Sequence, residues 1–163
     1  IKETAHLTRD TDGLGCANGL GWSPDGKTMY FIDTPSRAVW AFDYDEKAGE
    51  IDLNSRRTVV DFTGFAPEEG GPDGMTVDAE GKLWVAQWGG CRVCRYDEIT
   101  GEKLMQVDVP APCTTCPTFG GEKLDKLFIT TAGFGKEKFP EAGSLFVADV
   151  GVCGRKANRF GRE

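Results

Sequence analysis

The sequence predicts an all-β protein made of β-propeller blades, about three of them, each with four strands. Three observations carry this. Apolar residues fall in short runs or alternate with polar ones, and helical periodicity is nearly absent. Glycine, at 22 of 163 residues, is well above the average usage of about 7% and punctuates those runs together with Pro and Asp. The runs also repeat. Asn18-Gly19-Leu20-Gly21-Trp22-Ser23-Pro24-Asp25-Gly26-Lys27 lies over Asp73-Gly74-Met75-Thr76-Val77-Asp78-Ala79-Glu80-Gly81-Lys82. Thr115 then takes the place of Asp73, which brings Phe119 onto Val77 and Leu127–Ile129 onto Leu83–Val85. Repeats of about 40–50 residues with four strands apiece are the sequence mark of propeller blades.

The first repeat, residues 16–62, reads as strands at Gly19–Trp22, Thr28–Ile32, Ala38–Tyr44 and Arg57–Phe62. Ser23-Pro24-Asp25-Gly26 supplies the turn between the first two, because Asp-Gly accepts the positive φ of a tight hairpin. The second, residues 72–110, reads as Gly74–Val77, a turn at Ala79-Glu80-Gly81, then Leu83–Gln87, Arg92–Asp97 and Lys103–Val109. The third, residues 113–150, reads as Thr118–Gly120, Lys126–Thr131 and Ser144–Val150 with a looser final segment. Late in the first two repeats an aromatic-Asp ending recurs, at Phe42-Asp43-Tyr44-Asp45 and at Tyr96-Asp97.

A blade cannot bury both of its faces alone, and propellers close with four to eight blades. Three blades therefore imply that a second chain closes the ring or that this is a piece of a longer polypeptide. The opening Ile1-Lys2-Glu3, with neither an initiator Met nor a hydrophobic leader, favours the piece. The 163 residues otherwise read as a single partial-propeller region.

Composition narrows the function. With 19 basic against 26 acidic residues the net charge is −7, which argues against a nucleic-acid partner, since phosphate binding needs a concentrated basic surface. The one basic run, Arg155 to Arg162, reads as a solvated tail. Apolar stretches such as Met29–Ile32 and Leu145–Val150 are strand-sized, well short of the roughly 18 residues a membrane helix needs, so no membrane partner is expected. His6 is the lone histidine and has no nucleophile motif near it, which disfavours a Ser-His-Asp or Cys-His centre. No GxxxxGK[ST] phosphate loop occurs.

Cys91-x2-Cys94 and Cys113-x2-Cys116 have zinc-ribbon spacing, but Cys94 falls inside the strand Arg92–Tyr96, where residues three apart point to opposite faces. Free thiols are the better reading, and they suit a reducing, cytoplasmic compartment.

The leading residue of each repeat's first strand faces the channel mouth of a propeller. Those residues are Asn18, Asp73 and Thr115: an amide oxygen, a carboxylate and a hydroxyl. Such oxygens suit a hard divalent cation. The same dipeptides, Asn-Gly and Asp-Gly, are also ordinary turn formers, and spacing alone does not choose between the two readings.

The stretch Cys16-Ala17-Asn18-Gly19-Leu20-Gly21-Trp22-Ser23-Pro24-Asp25-Gly26, followed by Met29-Tyr30-Phe31-Ile32-Asp33, resembles the SMP-30/gluconolactonase/luciferin-regenerating-enzyme (regucalcin-like) family. So do Gly71-Pro72-Asp73-Gly74-Met75-Thr76-Val77-Asp78, Gly81-Lys82-Leu83-Trp84-Val85-Ala86, Trp88-Gly89-Gly90 and Phe119-Gly120-Gly121. The resemblance runs from about Cys16 to Val150.

It implies the C-terminal half of a six-bladed propeller with one divalent metal (Ca, Zn, Mn or Mg) in the channel, held by a Glu, two Asn and an Asp. Asn18 matches the second Asn; Asp73 matches the Asp, ligand and general base. The Glu and the first Asn belong to the half of the fold that precedes Ile1. The activity implied is metal-assisted hydrolysis of a sugar lactone or related cyclic ester, with Thr115 as a weaker candidate for binding substrate. The alternative is a non-catalytic calcium-binding or scaffolding propeller fragment that pairs with another subunit. Ala132–Gly143 reads as a loop near the channel mouth, ordinary or lid-like.

Overall fold

The structure, a computed structural model, describes residues 13–157. His6 and most of the basic C-terminal run lie outside the described residues. Within them the chain folds as three antiparallel sheets, each built from consecutive strands. Blade 1 comprises β1 (Ala17–Trp22), β2 (Thr28–Asp33), β3 (Ala38–Asp45) and β4 (Glu50–Asp61). Blade 2 comprises β5 (Gly71–Val77), β6 (Leu83–Trp88), β7 (Arg92–Tyr96) and β8 (Lys103–Asp108). Blade 3 has three strands among the described residues, β9 (Thr114–Gly120), β10 (Lys126–Thr131) and β11 (Leu145–Asp149).

The hairpins form where the turn chemistry demands them. Gly26 takes φ +69° and donates its N–H to Ser23 O, and Gly81 takes φ +86° and donates to Asp78 O. Ser23 and Asp78 hold equivalent places in the repeat and do the same work by different means. The Ser23 hydroxyl accepts the Thr28 amide, whereas Asp78 Oδ1 accepts the amides of Glu80 and Lys82.

Blade 2 lies between its neighbours, with β5 packed against β1 on one side and β9 on the other. That position explains why β6 is buried on both faces from Leu83 to Gln87, a run without alternation. Leu83 and Val85 join Ile32, Val39, Phe62 and Tyr96 in a core between blades 1 and 2. Trp84 and Ala86 join Val93, Leu127 and Ile129 in a core between blades 2 and 3. The two outer faces have no cover among the described residues. Leu20 and Trp22 are 47% and 36% exposed on blade 1, and Leu145 and Val147 are 64% and 59% exposed on blade 3.

The chain returns after blade 3 to tie the far end together. Gly154 bridges to Asp78 at the end of β5, and the Arg155 guanidinium donates to the carbonyls of Trp22, Ser23 and Pro24 on blade 1. Among the described residues no helix is long and apolar enough to cross a membrane.

Candidate functional site

Every inner strand carries an irregularity at its leading residue. On β1, Asn18 and Gly19 stand where β2 offers a single partner, between the pairs Ala17↔Asp33 and Leu20↔Phe31. On β5, Asp73 and Gly74 do the same between Pro72↔Gln87 and Met75↔Val85. On β9 the register skips Thr115, between Thr130↔Cys116 and Thr131↔Thr114. A bulge re-aims the side chain it contains, so the repeat brings three polar residues out of the ladder at one end of three adjacent strands.

The glycines that follow are required by space. A Cβ on Gly19 would stand 2.6 Å from Met75 Cγ and 2.8 Å from Asp73 O, and one on Gly74 would stand 2.5 Å from Thr115 O. Asn18-Gly19 and Asp73-Gly74 are therefore not turns. They are bulges whose glycine lets the next blade's backbone approach.

The consequence is a side-chain contact between blades. Asn18 Nδ2 donates to Asp73 Oδ1, and also to Thr34 Oγ1 at 3.1 Å. Asp73 is half-buried; desolvation lifts its carboxyl above the ordinary range, and the Asn18 hydrogen bond partly offsets this. Thr115 does not join the pair: its hydroxyl lies 2.6 Å from Thr130 Oγ1, within its own blade.

Residues that the motif reading left without a role complete the surroundings. Asp33, buried at the end of β2, accepts the amides of Gly15 and Cys16 at 3.0 and 2.7 Å, and Thr34 N donates to Cys16 O. These bonds fix the chain that leads into Asn18. The repeat carries no signal for them, because Asp33 and Thr34 have no counterpart in kind at the matching positions of blade 2, Trp88 and Gly89. Cys116 faces Gly74, and its thiol is held above the ordinary value by desolvation and then by the charge of Asp73.

The six cysteines are free, with Cys94 buried on β7 and Cys116 exposed on β9, which does not bring the two CxxC pairs into a zinc cradle. Exposed Phe134, in the segment between β10 and β11, packs edge-on against Trp88 at 5.8 Å, which puts that segment on the same end of the blades as Asp73.

The donors present fit one side of an oxygen-ligated cation site. Asp73 offers a carboxylate, and Asn18 Oδ1 accepts no hydrogen bond among the described residues, so it is available as a neutral ligand. They are two ligands where a Ca²⁺ shell takes six to eight. Among the described residues no group of three or more His, Cys, Asp or Glu is placed to hold a metal ion by itself.

A sequence profile described as the SMP-30/Gluconolactonase/LRE-like region matches residues 1–133. Human regucalcin is 42% identical over 155 residues, covering 91% of this chain and 50% of the relative. A calcium-binding regucalcin from Agrobacterium tumefaciens superposes with a TM-score of 0.79 at 33% identity, covering 87% of this chain and 48% of that one. A gluconolactonase from Xanthomonas campestris superposes with a TM-score of 0.61 at 33% identity, covering 77% and 38%. The chain spans about half the length of the curated relatives it matches.

Proposed function

The chain belongs to the SMP-30/gluconolactonase/LRE-like family, and on that premise we propose that Asn18 and Asp73 form part of the centre of a metal-dependent lactonase. The substrate class is a sugar lactone or a related cyclic ester. One observation carries the proposal: two polar side chains from different blades, each released from its ladder by a bulge, meet at the same end of the fold.

Asp73 and Asn18 Oδ1 would hold a divalent cation (Ca, Zn, Mn or Mg), and the calcium-binding relative supports calcium. When bound, that cation supplies Lewis-acid polarisation of the ester carbonyl. The residues do the rest. Asp73, which a bound cation's charge would keep ionised, accepts a proton from the attacking water. That proton then passes to the ring oxygen as the acyl C–O bond breaks, giving the open hydroxy acid. Asn18 Nδ2 orients Asp73, and the Thr34 hydroxyl orients Asn18. Thr115, engaged by Thr130, is left a peripheral substrate contact at most.

The remaining ligands would come from further blades seated on the exposed Leu20–Trp22 and Leu145–Val147 faces, supplied by a preceding segment or a second chain. The test is hydrolysis of glucono-δ-lactone by the native protein with a panel of divalent metals, comparing wild type with Asp73→Asn. Turnover abolished in a folded variant is expected; retained turnover removes Asp73 from the mechanism. Calcium binding without turnover would assign the protein to the non-catalytic reading instead.

A further inference from the structure

At the end of blades 1 and 2 opposite the Asn18–Asp73 pair, a cleft of about 550 Å³ opens between β2–β4 and the hairpin turns of blade 2. Tyr30 forms part of its wall and is 4% exposed, yet its hydroxyl makes no hydrogen bond among the described residues. Desolvation, then the charge of Glu98, holds this phenol above its ordinary value.

Three carboxylates line the same cleft: Asp25, Glu80 and Glu98. Each commits one oxygen to the protein. Asp25 Oδ1 accepts from the Ser23 hydroxyl and the Lys27 amide, Glu80 Oε2 from Arg95, and Glu98 Oε2 from Lys82 Nζ. The second oxygen of each has no protein donor among the described residues. Arg57, the cation in the lining, is engaged by Asp43 at 2.9 Å. The cleft thus presents solvent-reachable acceptor oxygens that have no protein donor among the described residues, one of them the Tyr30 hydroxyl, and three carboxylates against one cation in its lining.

A point ion does not answer this arrangement, because these carboxylates form no group that could hold a metal. The complementary ligand is extended, with N–H donors and positive charge at several points and apolar links between them. We propose that this cleft binds a small organic polycation of the polyamine class. Its ammonium groups pair with Glu98, Glu80 and Asp25, one N–H bonds the Tyr30 oxygen, and its methylenes lie on Val59 and Ile99. Both walls come from this chain, and the cleft is distinct from the proposed lactonase centre.

Titration calorimetry of the native protein with spermidine tests this. One saturable site is expected, weakened about tenfold or more by raising salt from low to physiological strength. Glu98→Gln should weaken binding about tenfold and Tyr30→Phe, which keeps the ring, about threefold. Glu141→Gln, on a turn outside the cleft, should leave it unchanged. Absence of saturable binding overturns the proposal. So does wild-type affinity in both Glu98→Gln and Tyr30→Phe, equal loss in Glu141→Gln, or complete displacement by magnesium chloride at matched ionic strength.

Discussion

Asn18 and Asp73, 55 residues apart in the chain, are joined side chain to side chain across the boundary between two blades. Neither position is polar by accident of exposure. Each sits in a bulge, each is followed by a glycine that the neighbouring backbone needs, and the pair exists only because two copies of one repeat are packed face to face.

Replacing Asp73 by Asn tests both sides of that relationship. Lactone turnover is expected to fall below detection. Because the folded carboxyl titrates above its unfolded value, its ionisation costs stability as pH rises through the folded value, and the cost is absent below the unfolded value near 4. In chelator, at neutral pH, the variant should therefore melt about 2 °C higher than wild type, and the gain should vanish in acid. A thermal melt across pH checks it; a lower melting temperature at pH 7 would contradict the assigned desolvation.

Asn18→Ala removes the donor to Asp73 and the proposed neutral ligand in one step. Divalent-metal affinity should drop at least about tenfold. Denaturant midpoints should move by less than about 1 kcal/mol equivalent, because the residue is only half-buried. Unchanged affinity in a direct metal titration would remove Asn18 from the shell.

Gly74→Ala should behave in the opposite sense. The added methyl would meet Thr115 O and Cys116, so the joint between blades 2 and 3 must spread, at a cost of about 1–3 kcal/mol by urea unfolding. Gly64→Ala, whose Cβ meets nothing within 4 Å, is the control and should unfold at the wild-type midpoint.

Asp78 is the most interior charge among these motifs, fully buried and accepting from Trp84 Nε1 at 3.0 Å and from Arg95 at 2.8 Å. Asp78→Ala strands the Arg95 guanidinium beside Glu80 alone and should cost about 3–5 kcal/mol. Urea unfolding followed by tryptophan fluorescence measures it directly, since Trp84 loses its partner in the same change.

Much of the fold was legible in the chain. The offset copies located all three sheets, because a blade is a local object whose strands, turns and apolar alternation are written over successive residues. Asn18 and Asp73 were legible for the same reason: they occupy one place in a repeat. What Asn-Gly and Asp-Gly do there was not legible, since the same dipeptides build turns. Bulge and turn differ in whether another blade's backbone passes beside the glycine. The commitment of Thr115 to Thr130, the support that Asp33 and Thr34 give to Asn18, and the acceptor-lined cleft around Tyr30 likewise waited on packing.

Sequence alone thus determined that this is a repeating β protein, which side chain leads each repeat, and which family those repeats resemble. Tertiary structure decided which of those leaders meet, at what separation and in what electrostatic surroundings. The physical reason is range. Strand pattern and turn chemistry act over a few residues, whereas the contact that makes a site depends on how closely two independently formed sheets can stack.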